Sequence, residues 1–217
     1  MPDPDIPWPT CNIPVLNKAE RNASLLAILA QRPIGPFWVF AYGSLIWNPA
    51  FEPAETRHAT LFGYHRSFCF WTMVARGTPE RPGLGLALEK KSGTRCQGVA
   101  MKVDKAREAS DLKALWTREM YSGVYQPTWV TLETLDDKPS TFPAMTFVAD
   151  PSHPQFCPSL SDEQRAYVIA GACGRHGTCA DYLQNVVDHL RQVDEPDSEL
   201  ENLLVAVRQL PQRVGSA

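Results

Sequence analysis

The run Trp38-Val-Phe-Ala-Tyr42 constrains this chain more than any other. Its residues are apolar, β-branched or aromatic without polar alternation, which predicts a short buried strand. Gly35-Pro36 bounds it on one side and Gly43 on the other. At Gly43 the backbone is free to turn where a side chain would clash. The N–H groups of Tyr42 to Leu45 then either line an anion-binding nest or simply close a tight turn. The stretch Trp38 to Trp47 leaves both readings open.

With 217 residues, 44% of them hydrophobic, the chain is able to bury one large core. One compact domain with appendages is expected: a flexible tail over residues 1–15, a helical extension over 16–36, and the main domain over 37–212. A net charge of −3, from 21 basic and 24 acidic residues, provides no general field for nucleic acid or an anionic membrane. The N-terminus lacks the basic start and apolar run of a signal peptide, and no stretch approaches the length of a membrane span. The expected location is the cytoplasm, and the expected state a monomer.

The six cysteines include no C-x-x-C pair, and a domain of this size needs no covalent staples, so reduced thiols are expected. Cys173 and Cys179 flank Gly174-Arg-His-Gly177 without a second ligand pair, so no metal site is assigned.

Hydrophobic periodicity orders the rest. Leu25, Ile28 and Leu29 share a face of a helix over Asn17–Gln31. Ala59–Trp71 is rich in strand formers, and Arg76–Gly83 reads as a loop carrying Arg76 and Arg81. Leu84–Glu89 and Gly98–Val103 read as a hairpin turning at Lys91-Ser-Gly93. Asp104, a predicted N-cap, opens a helix to Met120. Val124–Leu135 and Thr141–Val148 are strand-like around Asp136-Asp-Lys-Pro139. Helices follow over Ser161–Cys173, Cys179–Val193 and Ser198–Leu210, with Gly171–Gly177 as an inter-helix connection. The class is α+β.

One residue is out of place. Leu112, Leu115 and Trp116 form the apolar stripe of the helix over 104–120. At about 100° per residue, Glu119 continues that stripe, whereas Lys113 and Arg118 project elsewhere. Glu119 either lines a cavity as a carboxylate with a raised pKa, reaches water at the helix end, or pairs with an arginine such as Arg66 or Arg76.

Other chemistry finds less support. Ser44 lacks the G-x-S-x-G elbow and a histidine partner, so its expected role is a hydrogen bond. Gly171, Gly174 and Gly177 follow a helix and precede no Gly-Lys-Ser/Thr, which excludes a P-loop and a dinucleotide fingerprint. The five histidines form no H-E-x-x-H pair.

Val39-Phe-Ala-Tyr-Gly-Ser-Leu-Ile-Trp47, Gly63-Tyr-His-Arg-Ser-Phe68, Arg76-Gly-Thr-Pro, Gly98-Val-Ala, Arg118-Glu119 and Asp181-Tyr-Leu183 together resemble the ChaC-like γ-glutamylcyclotransferases in order and spacing. The resemblance implies a mixed β-barrel or roll flanked by helices. It implies an enzyme that splits glutathione into 5-oxoproline and cysteinylglycine without a cofactor. Glu119 matches the proton-transfer residue. Val39, Phe40, Ala41, Tyr42, Gly43, Ser44 and Leu45 match the substrate loop, and Arg66, Tyr125 and Tyr182 match positions near the pocket.

The implied chemistry suits a site with few visible groups. The substrate α-amine attacks its own γ-carbonyl, so the substrate carries the nucleophile and the protein must fold it and move protons. The far glycine carboxylate is left to Arg66, Arg76 or Arg81. Two other readings compete: a cyclotransferase for other γ-glutamyl amino acids or amines, and a non-catalytic regulator of a cation transporter. The latter needs a partner surface, and no basic amphipathic helix of a membrane binder is present.

Overall fold

The computed structural model describes residues 5–9, 13–135, 139–157 and 160–211. In chain order these form α1 (Lys18–Ala30), β1 (Trp38–Ala41), β2 (Glu55–Thr72), β3 (Gly83–Lys102), α2 (Glu108–Glu119), β4 (Tyr125–Thr134), β5 (Thr141–Ala149), α3 (Asp162–Gly171), β6 (Cys173–Gly174), β7 (Gly177–Thr178), α4 (Cys179–Gln192) and α5 (Ser198–Arg208). They divide into two compact units: Met1–Ile13, Phe68–Leu86 and Pro151–Ala217 form one, Pro14–Ser67 and Ala87–Asp150 the other.

The second unit holds the pairings of a closed barrel in the order β1-β3-β2-β4-β5. β1 is its most buried strand. It pairs antiparallel with β3 from Trp38↔Lys102 to Ala41↔Val99, and parallel with β5 at Val39↔Met145. Having neighbours on both edges and a core on both faces is why this stretch has no polar alternation. β4 and β5 form a long antiparallel ladder from Tyr125↔Ala149 to Glu133↔Thr141. The mixed barrel with helices is the α+β architecture expected.

Helix α1 starts where a capping box dictates. The Asn17 side chain accepts from the Ala19 and Glu20 N–H groups at 2.8 and 3.1 Å, and Glu20 accepts from the Asn17 N–H at 2.7 Å. It is anchored by Trp129, whose indole N–H donates to the Ile28 carbonyl at 2.9 Å. Trp116 of α2 donates to the Ser24 hydroxyl at 3.3 Å. The buried indole of Trp116 and the half-buried one of Trp129 thus each keep a polar partner.

Two expectations in this unit are corrected. The hairpin over Leu84–Val103 is one strand, β3, with Gly93 at φ 78° where the reversal was expected. A single left-handed residue bends the strand without reversing it, because continued pairing with neighbouring strands holds both halves in the barrel. Helix α2 begins at Glu108, not next to Asp104. Asp104 instead accepts from the Ala106 N–H at 2.8 Å and caps a separate turn.

The first unit packs α3, α4 and α5 with the ends of β2 and β3. Leu183, Val186, Val187 and Leu190 form the buried stripe of α4. The segment expected as a plain connection between α3 and α4 is a miniature hairpin, β6–β7, turning through Arg175-His176, with Gly177 at φ 96° where β7 begins. Ile6 is buried here, and the Trp8 ring lies 5.6 Å from Trp71. Of the expected turn Asp136–Pro139, residues 136–138 lie outside the described residues, as do 1–4 and 10–12 of the expected tail.

Among the described residues, no helix is long and apolar enough to cross a membrane. Cys173 and Cys179 are free thiols.

Candidate active site

β1 delivers the chain to a turn. Val39, Phe40 and Ala41 are fully buried, so their side chains belong to the core and only their backbone leads to the surface. Two devices hold the exit. The Arg66 guanidinium, itself buried, donates through Nε to the Tyr42 carbonyl at 2.7 Å and through Nη2 to the Gln97 carbonyl. Gly98 supplies the second: a Cβ there would sit 2.5 Å from the Ala41 carbonyl oxygen. Only a residue without a side chain lets β3 run this close to the end of β1. The Tyr42 hydroxyl donates to the Phe147 carbonyl at 2.9 Å.

Beyond Tyr42 the backbone winds into a helical turn, closed by Ile46 N–H to Gly43 O at 2.9 Å and Asn48 N–H to Ser44 O at 2.9 Å. Gly43 is not among the glycines with positive φ, so the turn is right-handed rather than the alternating-hand nest. The first N–H groups of such a turn have no acceptor within it. Those of Gly43, Ser44 and Leu45 find none among the described residues, although Gly43 and Leu45 are buried. Buried unpaired donors are costly, and a ligand oxygen relieves that cost.

Glu119 is the last residue of α2, one turn beyond the buried Leu115 and Trp116. Its side chain is 15% exposed, and Oε1 is buried without a hydrogen-bond partner. Burial pushes its pKa up, and the Arg118 guanidinium offsets part of that rise. Arg118 Nε lies 3.0 Å from Glu119 Oε1, an ion-pair contact whose angle does not close a hydrogen bond. The same guanidinium donates from Nη2 to Ser44 Oγ at 3.0 Å and from Nη1 to the Asn48 carbonyl. One side chain therefore ties the carboxylate to the turn.

An aromatic cluster supports both. The Phe147 ring lies 5.5 Å from Trp116 and 5.9 Å from Tyr125. Leu45 and Met120, the neighbours of the two key segments, enter one core with these rings. Val39–Leu45, Arg66, Glu119 and Tyr125 thus fall in a single unit.

Tyr182 falls in the other unit, on α4. Its ring lies edge-on to Phe68 at 5.9 Å, with the Arg76 guanidinium 5.1 Å from its centroid. Arg76 also donates to the His176 carbonyl and, at 3.4 Å, to that of Thr178. The partner of Glu119 is therefore Arg118, not Arg66 or Arg76, which are committed to backbone carbonyls. Sequence reasoning missed Arg118 because its Cβ points off the apolar face of α2. The available signal was its place at the helix end beside an apolar-face carboxylate, within reach of a long flexible stem.

Among the described residues, no three His, Cys, Asp or Glu side chains stand close enough to hold a metal ion.

A solved structure described as a γ-glutamyl cyclotransferase specific to glutathione from yeast matches this chain with a TM-score of 0.72 at 19% identity, covering 80% of this chain and 96% of that one. The architecture is accordingly that of the γ-glutamylcyclotransferase fold. Residues 37–210 match the ChaC-like protein family, and the chain belongs to it. It is 43% identical over 192 residues to the glutathione-specific gamma-glutamylcyclotransferase of Escherichia coli strain K12, covering 88% of this chain and 81% of that protein. Glutathione-specific gamma-glutamylcyclotransferase 1 of Homo sapiens is 30% identical over 170 residues, covering 78% and 76% respectively.

Proposed function

We propose that this protein is a glutathione-specific γ-glutamylcyclotransferase acting on the cytoplasmic pool of glutathione as a monomer. The α-amine of the γ-glutamyl group attacks its own γ-carbonyl. A C–N bond forms to close the five-membered ring, and the C–N bond to cysteine breaks, releasing 5-oxoproline and cysteinylglycine. The nucleophile comes with the substrate, so orientation and proton transfer are what the protein supplies.

The observation that carries this reading is a buried carboxylate with an oxygen lacking a hydrogen bond, tied through one guanidinium to a turn with unpaired N–H donors. Glu119 accepts the proton of the α-ammonium and returns a proton to the departing amide nitrogen. A carboxylate raised above its ordinary pKa is the better matched to this exchange. The Gly43, Ser44 and Leu45 N–H groups receive either the α-carboxylate or the oxyanion that develops on the γ-carbonyl. Arg66 and Tyr42 hold the turn in place, and Tyr125 borders it through Phe147. The names of the E. coli and human relatives favour glutathione over other γ-glutamyl compounds.

The test is incubation of purified protein with glutathione and, separately, γ-glutamyl dipeptides and γ-glutamylamines, with chromatography of the products. Release of 5-oxoproline and cysteinylglycine from glutathione, and much slower turnover of the others, is expected. Faster turnover of a γ-glutamyl dipeptide would replace the substrate, and no release of 5-oxoproline from any of them would overturn the activity.

A further inference from the structure

Arg118 makes three contacts with one planar group, and they lead to two different parts of the site. Nε faces the Glu119 carboxylate. Nη1 and Nη2 are spent on Asn48 and Ser44, the last and second residues of the turn whose opening N–H groups are unpaired. A guanidinium is rigid and always charged, so moving one contact moves the others. We infer that Arg118 is a positioning residue that sets the turn against Glu119 and holds its fixed positive charge beside the carboxylate that acts as the base. This rests on the cyclotransferase reading above.

The electrostatic half follows from what surrounds Glu119. Leu115, Trp116 and Met120 border it on its own helix, and all are apolar and buried. Desolvation therefore favours the protonated acid, which cannot take a proton from an ammonium group. Among the described residues Arg118 is the only charge that acts on Glu119 in the opposite sense. The carbonyl end of α2 does not help an anion either. The geometric half follows from the fork. Ser44 Oγ and the Asn48 carbonyl both accept from this one guanidinium, which bridges turn and helix.

The two halves separate by substitution. Arg118→Gln removes the charge. The Glu119 pKa then rises, so the acid limb of the kcat/KM profile moves to higher pH. Below that limb each unit of movement costs about tenfold in ionised base, and activity returns as pH is raised. Arg118→Lys retains a charge but not the fork, so the limb stays near its wild-type position while KM for glutathione rises. Ser44→Ala leaves the charge in place and breaks one arm, with a rise in KM of about threefold to tenfold and an unchanged limb.

Steady-state kinetics of the three variants against pH, with circular dichroism to check folding, test this. An Arg118→Gln limb at the wild-type pH overturns the electrostatic role. Wild-type KM in both Arg118→Lys and Ser44→Ala overturns the bridging role. Should Arg118→Gln not fold, the lysine variant decides, since its limb and KM must part company. Near-normal turnover by Glu119→Gln is a different failure: it sinks the base assignment itself, whatever Arg118 does.

Discussion

Glu119 and Cys179 are two buried acids, each with an arginine nearby, and only one of them sits in a site. Both are pushed up by burial: the carboxyl of Glu119 above its ordinary range and the thiol of Cys179 to about 12. In each case the neighbouring arginine, Arg118 or Arg76, works against that rise. The thiol is fully buried and donates to the Leu84 carbonyl at 3.2 Å, which leaves it protonated and satisfied. The carboxylate keeps a path to solvent and an oxygen without a hydrogen bond, beside a turn with open donors. Burial alone perturbs a pKa, and it takes access, an unsatisfied atom and complementary donors to turn the perturbation into chemistry.

The strongest way to break this contrast is Glu119→Gln. Loss of the proton-transfer group should lower kcat for 5-oxoproline release by about a hundredfold to ten-thousandfold, with the circular dichroism spectrum unchanged. The same variant should be more heat-stable at neutral pH. The folded-state pKa of Glu119 lies above its unfolded value, so the native state binds the extra proton. Stability falls as pH rises through the window between the two pKa values and stays lowered above it. Removing the ionisable group removes that loss, so melting temperatures of wild type and variant should converge at acid pH and separate towards neutral. A variant less stable than wild type at neutral pH would mean that Glu119 is structurally satisfied, as Cys179 is.

Gly98 sharpens the other half of the site, the turn. Gly98→Ala drives a Cβ against the Ala41 carbonyl and the Phe40 ring, and overpacking of this kind costs about 1–3 kcal/mol. Because the clash falls at the exit of β1, KM for glutathione should rise by more than kcat falls. Urea unfolding and steady-state kinetics measure the two effects. A stability loss without a change in KM would show that the turn tolerates movement of its support.

Much of this was legible in the residues. The α1 limits, the buried β1, the apolar stripe of α2 and the anomaly of Glu119 all follow from local periodicity, which neighbouring elements then reinforce. The continuity of β3 through Gly93 was not, because whether a left-handed glycine bends or reverses a strand depends on partners distant in sequence. Nor was the role of Arg66, whose buried charge serves backbone carbonyls at Tyr42 and Gln97. The Arg118 contacts were hidden for a related reason: helical phase fixes the direction of Cβ but not the path of a four-bond side chain.

Cys179 provides the mildest test and the cleanest. Cys179→Ser retains a donor for the Leu84 carbonyl, and Cys179→Ala removes it together with the sulfur volume. The alanine variant should lose about 1 kcal/mol, from one hydrogen bond and a small cavity, and the serine variant should fall within a similar margin. Neither should change kcat/KM by more than about twofold, the scatter expected of a residue whose loss changes no transition-state contact. In the wild type, alkylation of Cys179 by a thiol reagent should be slow and should accelerate only with unfolding, because the thiolate is scarce and the sulfur is covered. Loss of turnover in a folded Cys179→Ser protein would put a second chemical group in the reaction, and burial without access could no longer be read as inertness.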